Sequence, residues 1–542
     1  MATNVLNIGR SALNAAQIGL GVTGHNIANA STPGYSRQEI VQSAALAQNF
    51  GFGFIGQGTE VSQIRRNYSA FLTQQFNSAQ SASSANNAYA TQMTQIDNML
   101  ADPSAGLSPS FQQFFSSMQA LSSNPGDGAT RQATLSSAQS LVNRFADIGN
   151  RLEQLRSGVN AQLSSLTEQA TSYATQIAQL NDSISKSLAV SETNPPNDLM
   201  DRRDFLVLKL NELVKTDVQK QGDGSYNVFI GNGIPLVVGN KANGLTVVGA
   251  GTDPSRLEVA YVSGSTATTL GENSIVGGEM GGLLQFRSAS LDPIQNQLGQ
   301  IATVFAATFN AQHQSGYDAA GVAGAAFFNV PSPTVFGHAN NSVSAALTTN
   351  ISDATALTGN DYRIAYDGSN YNITNLSDNT VQSFASLPQT LDGLTINGTL
   401  ASGDSFLIQP TRNGATAISL AITDTAKIAA ADATGGNGNN LNALLLADLQ
   451  NQGTLNNSSV SYESAFAQLV STVGNKTNEL KVASAAAEAL LMQTEAAQQS
   501  ESGVNLDEEA ANLLRYQQAY QAAGKVMQIA SSLFDTLLTI GR

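Results

Sequence analysis

Leu6, Leu13, Leu20 and Ile27 recur every seven positions at the start of the chain, and Leu506, Leu513, Tyr520, Met527 and Phe534 do the same at its end. A seven-residue apolar period is one stripe on an amphipathic helix and the seam of a coiled coil. Ile8, Ala12 and Ala16 accompany the first stripe; Leu514, Tyr516, Ala523, Ala530 and Leu537 flank the second. A single such stripe reads as an ordinary core-facing helix. Two of them at opposite ends of the chain, where domains usually fray, need burial against each other or against neighbouring subunits. Asp507, Glu508 and Glu509 open the second helix, where its dipole favours acids.

The first stripe runs into the segment GHNIANASTPGYSRQ, residues 24–38. Asn29 suits a helix end because Asn tolerates the left-handed conformation, and Pro33 follows closely, so the helix is expected to stop near Ala30. Thr32, Pro33, Gly34 and Tyr35 fit a type II turn, with Pro33 and Gly34 at its centre and Thr32 pushed extended. QEIVQS then reads as a strand, giving helix, rigid corner, strand. The G-x-G-x-x-G at Gly51, Gly53 and Gly56 is followed by the strand-like TEVSQIRR rather than a helix, so it reads as a glycine loop and not a dinucleotide site.

Residues 67–190 carry helical spacing rich in Ala, Gln, Ser and Leu, broken at ADPSAGLSPS and SSNPGDG. Pro195 and Pro196 end that run, and Asn197 or Asp198 is the expected cap of the helix DLMDRRDFLVLKLNELV. SYNVFI and GIPLVVG read as strands. LLQFRSASLDPIQNQLGQIATVFAATFNAQ reads as one more helical segment, after which Gly, Thr, Asn and Asp dominate to about residue 440, with DYRIAYDGSNYNITNL as a hairpin. Helical patterning returns in YESAFAQLVSTVGNKTNELKVASAAAEALLMQTEAAQQS. The pattern predicts an elongated, multidomain α+β protein: terminal coiled-coil-like helices, 1–66 with 501–542; a helical bundle, 67–315 with 441–500, carrying a β-rich subregion near 216–280; and an inserted β-rich domain, 316–440.

Composition narrows the function. Only 12% of residues are charged, and the net charge of −15 opposes a grip on nucleic acid, which needs clustered cations. Uncharged polar side chains lose less than ions do on desolvation, which suits surfaces that pack against other copies. No apolar run approaches the roughly 20 residues of a membrane-spanning helix. MATNVLNIGRSALNAAQIGLGV has no basic start and no unbroken apolar run, so a cleaved secretory signal is not expected. There is no Cys, and His25, His313 and His338 form no ligand pair, so neither metal nor cofactor is expected. His25 and His313 are expected to cap helix ends or face solvent. Asp198, Asp201 and Asp204 invite the idea of a carboxylate pair, but neighbouring Arg202 and Arg203 offer local salt bridges instead. No nucleophile motif or phosphate loop is present, which points away from an enzyme.

ALNAAQIGLGVTGHNIANASTPGYSRQ resembles the N-terminal signature of the flagellar rod, hook and hook-associated proteins, with Asn26, Asn29, Thr32, Pro33, Gly34 and Tyr35 in its most diagnostic part. Those families also carry a C-terminal heptad helix, matched by GVNLDEEAANLLRYQQAYQAAGKVMQIASSLFDTLL. NDLMDRRDFLVLKLNELV, YNVFIGNGIPLVVG, GGLLQFRSASLDPIQNQLGQIATVFAATFNAQHQSGYD and FLIQPTRNGATAISLAI are similar to the hook-associated branch at the hook-filament junction. The resemblance implies an exported, non-enzymatic building block that forms a ring on the distal hook. Its neighbours would be the hook protein and the second junction protein, with an export chaperone on the C-terminal helix. The terminal helices would lie in the inner tube and fold fully only when neighbours bury them, and the Pro33-Gly34 corner would fix the angle at which the first helix leaves the wall. Another axial component, or an adhesin or enzyme housed in the β-rich insert, is the competing reading.

Overall fold

The structure is a computed structural model that describes residues 2–49, 51, 53–102, 106–191, 193–434 and 438–540, without the side chains at 2, 3, 537, 538 and 540; Leu537, named above, is therefore outside the described side chains. Helix α1 (Ala2–Asn29) leads into a long β ribbon of β1 (Gln38–Ala44), β2 (Gln48–Asn49), β3 (Phe54–Ile55) and β4 (Thr59–Arg66). In the ribbon, β1 pairs antiparallel with β4 and β2 with β3. The glycine loop lies at the ribbon's tip, where Gly51 and Gly53 both take positive φ.

Three helices follow, separated at the two breaks expected from sequence: α2 (Ala70–Leu100), α3 (Leu107–Ser123) and α4 (Gly128–Val190). At 63 residues, α4 spans about 95 Å at 1.5 Å per residue. That length makes the molecule elongated. Ser69 caps α2 by accepting from Leu72 N–H, and Asp127 caps α4 by accepting from Thr130 N–H. Helix α5 (Asn197–Leu213) packs on α4 and leads to two small sheets. One orders β5 (Thr216–Lys220), β6 (Tyr226–Ile230), β7 (Ile234–Val238) and β8 (Lys241–Ala242); the other has β10 (Leu257–Ser263) between β9 (Gly244–Gly249) and β11 (Thr266–Thr269).

The next helical run is continuous through a π turn over Arg287–Leu291, joining α6 (Gly278–Phe286) to α7 (Asp292–Gln314). Beyond it lie the β-rich elements β12 (Phe328–Asn329), β13 (Thr334–Gly337), β14 (Ala346–Ile351), β15 (Tyr362–Tyr366), β16 (Tyr371–Asn375), β17 (Val381–Phe384), β18 (Gln389–Leu391), β19 (Leu394–Thr399) and β20 (Ser405–Gln409). They form a five-stranded sheet in the order β13-β20-β15-β16-β17 and a three-stranded one in the order β14-β19-β18. The β15-β16 hairpin turns through Asp367-Gly368-Ser369-Asn370, with Gly368 at φ +97° and Asp367 accepting from the Ser369 and Asn370 amides. After α8 (Gly414–Ala417), β21 (Ser419–Leu420) and α9 (Leu441–Asp448), the chain returns in α10 (Tyr462–Ser502) along α2 and ends in α11 (Leu506–Ile540) along α1. No helix of the described residues is long and apolar enough to cross a membrane.

The core of the helical body is aromatic. Phe305 on α7 lies 5.0–6.3 Å, ring centre to ring centre, from Phe111, Phe114, Phe115, Phe309, Phe328 and Tyr462, and so ties α3, α7, β12 and α10 together. Such pairs add about 0.5–1.5 kcal/mol each beyond the area they bury. Where the body meets the β-rich elements, the fold buries charge instead. Arg412, just after β20, pairs with Asp361 beside β15, and reaches Asp253 at 3.6 Å and Asp292 of α7 at 3.5 Å. Asp292 also takes Arg156 of α4 at 2.5 Å and Arg256 at 3.0 Å. Burial opposes its ionisation, yet Arg412, Arg156 and Arg256 hold its carboxyl down at about 2.

His313 departs from its expected capping or solvated role. It is fully buried, its Nε2 accepting from the Ala429 amide at 2.9 Å and its Nδ1 donating to the Ala325 carbonyl at 2.7 Å. Burial pushes its pKa down, so the neutral ring is the one that ties α7 to the returning chain.

Candidate assembly interface

Helices α1 and α11 run antiparallel. Gly9 lies against Met527, Gly19 against Tyr516, and Asn26 bonds Glu509. The contact face of α1 is small: Gly9, Ala15, Ala16, Gly19 and Thr23 are buried there. A Cβ on Gly19 would sit 2.7 Å from the Tyr516 ring, and one on Gly9 would sit 3.1 Å from Met527 Cγ, so these glycines set how closely the helices approach. On α11 the buried positions are Glu509, Ala523 and Ala530, with Tyr516 half-buried, a second series on the same seven-residue period.

Apart from Met527, which lies against Gly9, the two sequence stripes are not the face that this pair buries. Leu6 is 38% exposed, Ile27 37%, Leu506 55%, Tyr520 40% and Phe534 47%, while Leu13, Leu20, Leu513 and Met527 are half-buried. Most of the large apolar residues therefore flank a seam in which small residues of α1 receive Tyr516 and Met527 of α11. Leu514, Val526, Ile529 and Leu533 are also exposed on α11, so its apolar surface extends well past what α1 covers.

At the corner, Tyr35 N–H donates to the Thr32 carbonyl at 3.2 Å and Gly34 takes φ +78°, which is the type II turn the sequence calls for. A Cβ on Gly34 would lie 2.8 Å from Phe205 Cβ of α5, so glycine is required here for both conformation and space. Helix α1 ends at Asn29, but not through a left-handed residue, because Asn29 is not among the positive-φ positions. Its side chain folds back instead: Nδ2 donates to the His25 carbonyl at 3.0 Å, and Oδ1 accepts from the Thr32 hydroxyl at 3.2 Å. Pro33 occupies the second turn position beside α5 and α10, lining a cleft with Phe205 and Gln498.

Asn26 is 1% exposed and uses every polar valence it has. Its Nδ2 donates to the Gln38 carbonyl at 2.8 Å and to Glu509 Oε2 at 3.1 Å; its Oδ1 accepts from Tyr35 Oη at 2.7 Å and from the Gln38 amide at 3.0 Å. One side chain thus joins α1, the corner, β1 and α11. Glu509, also 1% exposed, receives Arg37 Nε at 2.8 Å, and Arg37 Nη1 reaches Glu508 at 2.7 Å. Burial lowers the pKa of Arg37, but Glu509 and Glu508 outweigh it and raise it overall. Tyr35 is driven up by burial and by Asp198, Asp201 and Glu509, so it remains a hydrogen-bond donor.

The acid cluster on α5 corrects two sequence expectations. Neither Asn197 nor Asp198 caps the helix; the cap position is Pro196, without a side-chain bond. Asn197 instead donates to the Ile64 carbonyl at 3.0 Å, and Asp198 accepts from Gln38 Nε2 at 2.8 Å. The acids do not pair with Arg202 or Arg203 next to them. Arg66 of β4 bridges Asp201 at 2.7 Å and Asp204 at 2.8 Å, and Asp201 also accepts from the Ser36 amide at 3.0 Å. Arg203 is buried elsewhere, over the Tyr226 ring and bonded to Asn181 and the Gly224 carbonyl. Helical spacing shows which residues share a face, but not that a strand more than a hundred positions away supplies the cation. His25 stays near the surface, 3.4 Å from Asp198 and edge-on to Tyr35.

Arg37 and Gln38 are functional residues that the sequence reading did not single out, and Glu509 and Asp201 are named there in other roles, as a helix-opening acid and as a locally paired one. For Glu509 the signal was available: it sits three positions after Leu506, on the seam side of the heptad, where a carboxylate needs a partner. Among the described residues no group of three or more His, Asp or Glu is placed to hold a metal ion.

Comparison with known proteins gives this arrangement its context. Residues 93–328 match the flagellar hook-associated protein FlgK helical domain, and 336–410 the D2-like domain of flagellar hook-associated protein 1. Residues 6–35 match the flagella basal body rod protein family and 498–540 the flagellar basal body rod FlgEFG protein C-terminal family, which are the two paired helices. The chain is 41% identical over 552 residues to flagellar hook-associated protein 1 of Salmonella typhimurium, covering 99% of this chain and 100% of that one. It is 40% identical over 545 residues to the Escherichia coli K12 protein of the same name, with the same coverage. Among solved structures it is similar to the flagellar hook junction protein FlgK from Burkholderia pseudomallei, with TM-score 0.75 and 30% identity over 79% of this chain and 100% of that one. The chain belongs to the flagellar hook-associated protein 1 family and is a structural protein of the hook-filament junction.

Proposed function

We propose that the chain assembles as a ring on the distal end of the hook, with 1–66 and 501–542 forming its inner tube, 67–315 with 441–500 the next layer, and 316–440 the outer one. The observation that carries this reading is the split of each terminal helix into a small-residue seam closed within the chain and a large apolar flank left open. Leu6, Leu13, Leu20 and Ile27 on one helix, and Leu506, Leu513, Tyr520, Met527 and Phe534 on the other, have no second layer among the described residues that covers them fully. A repeated, non-self-pairing contact between neighbouring copies closes into a ring or a helical tube. Burying those flanks against neighbours completes the folding of the terminal pair, which couples order to assembly.

In this reading the hook protein lies on one side of the ring and the second junction protein on the other. The chain leaves the cell through the flagellar type III apparatus, and an export chaperone covers the C-terminal helix beforehand. The role is structural rather than catalytic. The signature corner sets the angle between α1 and the helical body, because Asn26, Gly34 and Asp201 connect the two through α5 and α11. Electron microscopy of cells lacking the gene, together with a flagellin assay of the medium, tests the placement. Bare hooks with shed flagellin support it; missing hooks would move the protein down the axis, and normal filaments would remove it from the junction.

A further inference from the structure

The α1–α11 seam poses a problem of register. Its α1 side is nearly smooth, and both helices repeat every seven residues, so a slip of one heptad would still set small residues against Ala523 and Ala530 and would move Tyr516 from Gly19 to Ala12 or Asn26. Apolar contact alone distinguishes such registers poorly. The directional group in the seam is Glu509: slipping one heptad toward the start of α1 would set it against Gly19, leaving its carboxylate buried without Asn26 and taking it away from Arg37.

We propose that the buried Asn26–Glu509–Arg37 cluster is the register pin of the terminal pair, the element that selects one antiparallel alignment of α11 on α1 from its heptad-related alternatives. Three features of the geometry support it. Asn26 and Glu509 are each 1% exposed, so an unmatched partner has no water to turn to. The four bonds of Asn26 are complete only when Glu509, Tyr35 and Gln38 are all in place, which ties the alignment of α11 to the corner as well as to the helix. The Arg37 amide also donates to the Ser502 carbonyl at 2.8 Å, at the end of α10, so the same arginine anchors the chain just before α11 begins. A buried polar pair in a largely apolar heptad seam favours the alignment that matches it because the alternatives leave its members unpaired.

This inference deepens the assembly reading but does not depend on ring formation, since register is a property of one chain. The chain has no cysteine, so engineered pairs report cleanly. Gly9→Cys with Met527→Cys reports the native register, and Gly9→Cys with Tyr520→Cys or Phe534→Cys, each carrying Met527→Ala so that the new side chain meets no crowding, reports a slip of one heptad either way. These sites leave the pin and the Gly19–Tyr516 contact intact. Disulfide trapping in the purified full chain is expected to give the native pair alone. In the Glu509→Leu background, the slipped pairs are expected to rise at least about tenfold relative to the native one, the ratio that follows from losing 1.4 kcal/mol of preference. Glu509→Gln, which keeps an acceptor for Asn26, should restore native-only trapping. Native-only trapping in Glu509→Leu would overturn the proposal, because Tyr516 over Gly19 would then be sufficient. Equal loss of the native pair in Glu509→Leu and Glu509→Gln would overturn it as well, because the group would then serve general stability and not alignment. Junction formation in cells is scored separately, so a failed ring with an intact register pin points to the assembly reading alone.

Discussion

The helical body and the terminal pair are both built from long helices, yet they use opposite kinds of contact. Around Phe305 the body locks large rings edge to face, and where it meets the β-rich elements it buries arginines and acids that satisfy one another. The terminal pair buries one such polar cluster, Asn26–Glu509–Arg37, but otherwise closes on glycine and alanine and leaves most of its large apolar residues to the outside. A body that must hold its shape alone completes its own core. In the assembly proposed above, the terminal pair fits between copies with its strongest apolar surface unfinished, so its stability would rise with the neighbours it meets.

The sharpest way to break that contrast is to damage the body. Phe305→Ala should cost about 3–5 kcal/mol, as truncation of a fully buried aromatic does, and lower the main thermal transition while the α1–α11 pair keeps its helicity by circular dichroism. Arg412→Met should cost a comparable amount, about 3–5 kcal/mol, because Asp292, Asp361 and Asp253 lose a shared buried cation; denaturant unfolding of the same transition measures it. A near-neutral result for both would mean that the body is not the self-sufficient partner in the comparison.

Acid probes the same joint with a smaller effect. The Asp292 carboxyl lies below its ordinary value in the folded protein, so it contributes stability that is fully present above about pH 4 and is lost as pH falls toward about 2. Asp361, on the same Arg412, is pushed up to about 6 chiefly by burial, so it opposes this contribution as pH rises through that value. Asp292→Asn should flatten the acid limb of the stability curve. At the corner, Gly34→Ala meets both a positive φ and the Phe205 side chain, and should cost roughly 1–3 kcal/mol locally. Hydrogen exchange should speed up at residues 30–38 and leave α7 unchanged.

The smallest effect on stability is expected where the effect on function is largest. Leu513→Asp and Tyr520→Asp change flanks that are already partly open, so monomer stability should shift by about 0.5 kcal/mol or less. Incorporation into the junction should nevertheless fail. Pro33→Ala belongs to the same group, impairing incorporation more than yield of folded protein.

Much of this fold was legible in the sequence because it rests on short-range chemistry. The Pro33-Gly34 turn, the breaks before α3 and α4, and the two heptad helices all follow from residues that act within a few positions of themselves. What escaped depends on distant partners. Glu509 looked like an acid placed for a helix dipole, and its real neighbours Asn26 and Arg37 lie more than 470 residues earlier. Asp201 looked locally paired until Arg66 arrived from a strand. His313 looked like a helix-end group because nothing in its neighbourhood of sequence reveals that Ala429 will close over it. The stripes themselves were visible, but not which side of each the chain would bury, since glycine's capacity for close approach matters only once the opposing Tyr516 and Met527 are in place.

If the open apolar flanks of α1 and α11 are contact surfaces for other subunits, a charge on one of them should block assembly without unfolding the chain. Electron microscopy of cells whose only copy of the gene encodes Tyr520→Asp, alongside thermal unfolding of the same purified variant, tests this. The expected result is an unchanged thermal transition with bare hooks and flagellin in the medium. Normal filaments on a variant of unchanged stability would contradict the claim and return those flanks to the role of incidental exposed surface.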